Sequence, residues 1–298
     1  MEKRKIIVGS RDSVLAVAQT KLVMEAIRRA NPGIELELVT RKTTGDMILD
    51  KTLDKIGGKG LFVKELDQGL LAGEIDIAVH SLKDMPMEEN PELPIAAFFM
   101  RGDPRDVLVM PAGQKDPGTL DGMDAIGTSS ARRQLQIRDM YPEAGLKSIR
   151  GNIITRLDKL DRGEYSALVL AASGLMRAGL EDRISRYFSP EEMVPAAGQG
   201  ILAVQARRDL DVSFLEAVND RNTAFAAEAE RSFVAALDGG CSSPIAAYAT
   251  VDGEKLKLTG LYFNEDTKEH LVDSITGDRT EAKQLGQVLA VRMKGGLS

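Results

Sequence analysis

Three groups of residues in this chain have types and spacings that can do chemistry. The first is Leu237-Asp238-Gly239-Gly240-Cys241-Ser242-Ser243-Pro244, which holds the only cysteine in 298 residues. A thiol beside two glycines sits on backbone that tolerates positive φ and leaves room for another molecule near the main chain. Cys241 is therefore a candidate attachment point, although on this stretch alone a buried structural thiol is the default, because free cysteine packs as a small hydrophobe. The second group is His80-Ser81-Leu82-Lys83-Asp84-Met85-Pro86, which follows a strand expected over residues 75–79. A carboxylate at the carboxyl end of a strand is placed to face a ligand, where Asp84 can stabilise a developing cation or move a proton. Read in isolation, the Lys83-Asp84 pair is equally a loop cap with a solvated neighbour. His80 has no second His or Cys at ligand spacing, so it is read as a structural histidine and no metal is expected.

The third group is basic and recurs where turns lead into helices. Thr128, Ser129 and Ser130 are placed to cap a helix with Arg132 and Arg133 in its first turn. Arginines there oppose the helix dipole, so an acidic ligand is expected, held by charge-assisted hydrogen bonds. Arg150, Arg156 and Arg177 lie at comparable junctions, as do Arg11 and Ser13 in Gly9-Ser10-Arg11-Asp12-Ser13. For any one arginine a solvated surface position is an adequate account; the recurrence argues for the set. Lys55-Ile56-Gly57-Gly58-Lys59-Gly60 lacks the Gly-Lys-Ser/Thr ending of a phosphate-binding loop and reads as a mobile basic lid or a plain surface loop.

The elements that must position these groups follow from periodicity. Lys5-Ile6-Ile7-Val8 is a buried-strand pattern, residues 14–30 carry helical spacing, and Ile34, Leu36 and Leu38 alternate with glutamates. Strand and helix keep alternating, which predicts a parallel α/β sheet with ligands beyond the strands' carboxyl ends. The pattern breaks at Arg101-Gly102-Asp103-Pro104-Arg105-Asp106 and again at Pro195-Ala196-Ala197-Gly198-Gln199-Gly200, read as two crossovers. The expected organisation is two doubly wound, periplasmic-binding-protein-like α/β domains around a cleft plus a small α+β domain. The boundaries are 1–99 with 198–218, 104–194, and 222–298. A net charge of −6, no Trp and 4% aromatics argue against nucleic acid as the main partner. The first apolar run is only Ile6-Ile7-Val8, too short for a signal peptide or membrane span, and one cysteine allows no internal disulfide, so a cytoplasmic protein is expected.

Taken together, the motifs resemble those of the porphobilinogen deaminase family. The matching stretches are Gly9-Ser10-Arg11-x-Ser13-x-Leu15-Ala16-x-x-Gln19-Thr20, Gly57-Gly58-Lys59-Gly60-Leu61-Phe62, His80 through Pro86, Gly127-Thr128-Ser129-Ser130, Arg132-Arg133-Gln134, Arg150-Gly151-Asn152, Pro195-x-x-Gly198-Gln199-Gly200, and Glu230-Arg231 through Gly239-Gly240-Cys241-x-x-Pro244. Two positions depart from the family: Ala131, where leucine is commoner, and Ser243, where an apolar or β-branched residue is commoner. The resemblance implies a monomeric transferase that joins four porphobilinogen molecules head to tail, releasing ammonia each time, to give hydroxymethylbilane. It implies a dipyrromethane cofactor bound through a thioether at Cys241, with Asp84 as the catalytic carboxylate. It further implies Arg11, Ser13, Lys83, Ser129, Arg132, Arg133, Arg150 and Arg156 at the cofactor, Arg11, Arg150, Arg156 and Arg177 at the substrate, and Lys55 and Lys59 on a lid. Two other classes stay in view: a bilobal binding or sensor protein for a polycarboxylate, and a cysteine hydrolase, for which only His80 and His270 are available as base.

Overall fold

The computed structural model describes residues 4–43, 63–239 and 243–296. The first lobe begins with β1 (Arg4–Arg11), α1 (Val14–Ala30) and β2 (Ile34–Arg41). Helix α1 starts because Ser13 is extended and its side chain accepts a hydrogen bond from the Ala16 amide, and Arg28 and Arg29 in the last turn suit its dipole. Its buried face, Gln19, Thr20, Val23, Met24 and Ile27, follows the i, i+3/i+4 rule and packs on Ile6, Val8, Ile77 and Val79 of the sheet. Helix α2 (Lys64–Leu71) and strands β3 (Ile77–Ser81) and β4 (Ile95–Phe99) follow. The late strand β10 (Leu202–Ala206) returns to this sheet, whose order is β2-β1-β3-β10-β4.

The second lobe repeats the plan. Strands β5 (Asp106–Val109), β6 (Ile126–Gly127), β7 (Leu146–Lys147), β8 (Ala167–Ala171) and β9 (Arg186–Tyr187) form a sheet of order β7-β6-β8-β5-β9. It is accompanied by helices α3 (Ala131–Met140), α4 (Ile153–Asp161) and α5 (Ala172–Arg177). The expectation of parallel sheets needs correction, because both sheets are mixed. β10 runs antiparallel to β3 and β4, and β5 antiparallel to β8 and β9. The reason is topological: both strands enter directly from a crossing, at the end where the sheet's parallel strands leave.

The C-terminal unit is α+β, as expected. Helix α6 (Arg221–Ala236) and helix α7 (Ala282–Gly296) cover one face of the antiparallel sheet β11 (Ala246–Asp252), β12 (Lys255–Phe263) and β13 (His270–Asp278) around Phe233, Leu258 and Leu289. This unit is fastened to both crossings. The Gly102 amide donates to the Gly200 carbonyl at 3.0 Å, pairing the two connections. Glu230 of α6, fully buried, accepts from the Gly198 and Ala249 amides at 2.7 Å each and pairs with Arg101 at 2.5 Å. A buried carboxylate is tolerated only with such a full set of partners. Among the described residues no helix is long and apolar enough to cross a membrane.

Candidate active site between the two lobes

Strand β3 passes into a single 3-10 turn, Leu82–Asp84, that presents Lys83 and Asp84. The turn is fixed from below: Leu82 is buried, its amide donates to the Ile201 carbonyl at 3.0 Å, and the Met85 amide donates to the Leu82 carbonyl at 3.1 Å. Ser81 donates to Gln19 of α1 at 3.1 Å, and Lys83 Nζ to Gln199 Oε1 at 3.3 Å. Burial pushes the Lys83 ammonium down to about 8, opposed by the nearby Asp84 and Asp106 carboxylates and reinforced by Arg133 and Arg132. His80, one strand residue earlier, is structural as expected: it pairs with Gln205 at 3.1 Å, and burial lowers its pKa to about 4, keeping it neutral.

The second lobe faces this turn with cations. Ser130 caps α3 and accepts from the Arg133 amide, and Arg132 and Arg133 turn inward. Arg132 Nη1 donates to Asp106 Oδ2 at 2.6 Å and to the Val194 carbonyl at 2.8 Å. Arg133 donates through Nε and Nη2 to Asp106 Oδ1 at 2.9 and 2.6 Å, and through Nη1 to the Val169 carbonyl at 2.9 Å. A buried acid of the chain itself, Asp106, thus pairs with both arginines, a partner that the spacing of the arginine pair did not reveal. Burial alone would raise the Asp106 carboxyl, but the two guanidiniums, with hydrogen bonds from Arg132 and Gln199, hold it well below the usual carboxylate range.

Asp106 engages only one edge of each arginine. A guanidinium has five N–H donors. Arg132 retains Nε–H and both Nη2–H without a hydrogen-bond partner among the described residues, and Arg133 retains one hydrogen on each Nη. On α4, capped by Asn152, Arg156 donates Nε to the Gly151 carbonyl at 2.8 Å. Its pKa is pushed down to about 10 by burial and by the adjacent Arg133 and Arg150, against the pull of Asp84. Asp84 of one lobe and Arg156 of the other are thus within electrostatic reach across the cleft. Ser129 bonds the Ile149 amide and carbonyl, at 3.0 and 2.6 Å, and Ser148 at 2.8 Å, tying the loop before α3 to the strand end that carries Arg150. Arg11 ends β1 beside His80, and Ser13 is the cap of α1.

The structure therefore gathers Lys83, Asp84, Arg132, Arg133, Arg150 and Arg156. Arg177 stands apart from that group. At the end of α5 it donates Nη2 to the Gly200 carbonyl at 2.5 Å and lines a groove of about 820 Å³ with Lys21, Leu22, Arg28 and Leu38. Lys55, Lys59 and Cys241 lie outside the described residues. The residue before Gly240 is informative. A Cβ on Gly239 would stand 2.8 Å from Ile245 Cδ1 and 3.0 Å from Val234 Cγ1, so packing by itself favours glycine here. Asp106, Gln199, Arg101 and Glu230 were missed as site-building residues. The available signal was the arginine pair itself: two adjacent inward cations need a buried acid somewhere in the chain.

A family model described as porphobilinogen deaminase, dipyrromethane cofactor binding domain, matches residues 6–213, and one described as the C-terminal domain of the same enzyme matches residues 224–295. The chain belongs to the porphobilinogen deaminase family. It is 56% identical over 292 residues to the porphobilinogen deaminase of Acetivibrio thermocellus, covering 98% of this chain and 99% of that one. It is 53% identical to the porphobilinogen deaminase of Ruminiclostridium josui over 295 residues, covering 99% of each chain, and 55% identical to that of Alkaliphilus oremlandii over 291 residues, covering 98% and 97%. It is accordingly a transferase of tetrapyrrole biosynthesis that polymerises porphobilinogen into hydroxymethylbilane on a dipyrromethane cofactor. The residues fit that acidic cofactor. Lys83, Arg132, Arg133, Arg150 and Arg156 surround two carboxylates, Asp84 and Asp106, so the cluster holds more positive than negative charge, with unengaged donors on both helix arginines. The binding and sensor alternative, and a hydrolase built on Cys241, fall away with this assignment.

Proposed function

We propose that Asp84 is the catalytic carboxylate, that Cys241 holds the cofactor through a thioether, and that the second lobe grips the acidic side chains of cofactor and substrate. What carries the reading is that the Leu82–Asp84 turn of one lobe stands within electrostatic reach of Arg156 on the other, inside a cluster with a surplus of cations. Dipyrromethane supplies a nucleophilic pyrrole end to which each new unit is added. Loss of ammonia leaves the incoming unit with an electron-poor carbon, and a carboxylate fixed on the Leu82–Asp84 turn can stabilise that charge, accept pyrrole N–H hydrogen bonds and shuttle the proton released on coupling. The remaining N–H groups of Arg132 and Arg133, with Arg150, Arg156 and Lys83, bind carboxylates, and each such charge-assisted contact contributes roughly 1.5–3 kcal/mol when desolvated. Arg11 and Ser13 approach from the first lobe and Ser129 from the second, while Lys55 and Lys59 cover the site as a lid. Arg177, away from the cluster, takes up substrate at the edge of the cleft.

The proposed domains are 1–99 with 198–218, 104–194 and 222–298, which keep each sheet and its helices together. The enzyme is proposed to work as a cytoplasmic monomer. Intact mass tests the whole reading: the purified enzyme should exceed its chain mass by two porphobilinogens less two ammonias. Cys241→Ser should show the bare mass after denaturation. Retention of the increment in that variant moves the tether elsewhere, and a bare wild-type chain defeats the assignment.

A further inference from the structure

The arginine pair raises a question that its proposed ligand does not answer. Arg132 and Arg133 are adjacent, their side chains are 4% and 9% exposed, and they sit in the first turn of a helix, where cations are disfavoured. Burial and Arg132 both lower the Arg133 pKa. An arrangement of this kind does not persist without a counter-charge, and in the chain alone that counter-charge is Asp106. Its carboxylate is fully buried, receives both guanidiniums, and also accepts from Gln199 Nε2 at 3.0 Å. Gln199 in turn accepts from Lys83 through its other amide atom at 3.3 Å, and its Nε2 is fixed by the Pro104 carbonyl at 2.7 Å. One buried carboxylate on the first residue of β5 is therefore joined to three cations from both lobes, directly to two and through one amide to the third.

We propose that Asp106 is the positioning residue of the cation site: it neutralises and pins one edge of Arg132 and Arg133, and through Gln199 orients Lys83, so that the outer edges are prearranged for polycarboxylate pyrroles. The triad of Asp106 and two arginines carries a net charge of +1, enough to attract an anion without a self-repelling pair. This inference rests on the site described under Proposed function. The charged groups around Lys83 are Asp84 on its own turn, Arg133, Arg132 and Asp106 from the second lobe. Removing the Asp106 charge takes away one of the two carboxylates that keep the lysine protonated, so its deprotonation moves to lower pH.

The test is Asp106→Asn with Asp106→Glu as the conservative rescue, each produced in cells that supply porphobilinogen. Intact mass should show the loaded fraction of Asp106→Asn reduced roughly tenfold against wild type, with Asp106→Glu recovering most of it. In the loaded fraction, KM for porphobilinogen should rise more than kcat falls, and the alkaline limb of kcat/KM should shift to lower pH, which a merely structural ion pair would not do. Wild-type loading, KM and alkaline limb in Asp106→Asn overturn the proposal. If Asp106→Asn does not accumulate as folded protein, Gln199→Met leaves both arginine–Asp106 pairs in place and removes the amide that joins Asp106 to Lys83, together with its bond to the Pro104 carbonyl. A raised KM with an acid-shifted alkaline limb then supports the proposal, and a wild-type KM and pH profile overturn it. A wild-type enzyme lacking the two-pyrrole mass increment would instead defeat the cofactor reading itself.

Discussion

The two lobes share a plan and divide the work. Each has a five-stranded sheet in which three parallel strands are joined by one antiparallel strand that comes from a crossing. Each has, on the strand that leads into its first helix, a glycine with a side chain packed close against it: a Cβ on Gly9 would lie 2.4 Å from Ile75 Cδ1, and one on Gly127 2.4 Å from Leu168 Cδ2. Each then enters a helix capped by a serine, Ser13 or Ser130. The charges differ. The first lobe brings Asp84, with Lys83 and Arg11, on strand ends; the second brings arginines on helix starts, held by Asp106. Common backbone geometry thus presents a carboxylate, proposed above to be catalytic, on one side and a group of cations on the other. A single cleft can then hold an acidic chain on one wall while the opposite wall does chemistry at its end.

Substitutions on the two walls should separate these roles. Asp84→Asn should lower kcat by about 10²–10⁴ while thermal stability and cofactor content stay near wild type; steady-state kinetics with intact mass decides, and full turnover would remove Asp84 from the mechanism. On the opposite wall, Arg156→Met should act mainly on binding, raising KM roughly tenfold or more with a smaller change in kcat. An equal loss in kcat and kcat/KM would assign this arginine to the transition state and blur the division. The shared scaffold predicts symmetry: Gly9→Ala and Gly127→Ala should each cost about 1–3 kcal/mol in denaturant unfolding, since both force a leucine or isoleucine methyl to move. A large inequality would show that one lobe is much more yielding.

The smallest effect is the pH response of Lys83. Its folded pKa, about 8, lies below the ordinary 10.5, so the ammonium is present below about pH 8 and lost above it. KM for the acidic substrate should therefore rise by a few fold above pH 8, and Lys83→Met should flatten that rise. For stability the sign is opposite. The unfolded chain binds more protons between pH 8 and 10.5, so this group alone makes folding more favourable as pH rises through that window.

Much of this architecture was readable before any coordinates. The spacing that predicts a helix over residues 14–30 matches α1 residue for residue, because amphipathic periodicity and turn residues act locally. The crossings at residues 101–106 and 195–200 were legible as breaks in that pattern, and the motif set, in order along the chain, carried the family. What local pattern cannot hold is the direction of a strand that arrives from another lobe, which is why β5 and β10 made both sheets mixed. It also cannot hold which charges meet. Arg132 and Asp106 are 26 positions apart, Lys83 and Gln199 116, and Arg101 and Glu230 129, so no spacing rule links them.

The sequence by itself determined the elements, the family and the residues able to do chemistry, because those depend on side-chain type and short-range periodicity. Only the tertiary structure decided that one buried acid of the chain pairs with both arginines, that a Cβ at Gly239 would press on Ile245 and Val234, and that Arg177 stands apart from the cation cluster. Burial raises the importance of every missing or misplaced charge, and burial is a property of the folded whole.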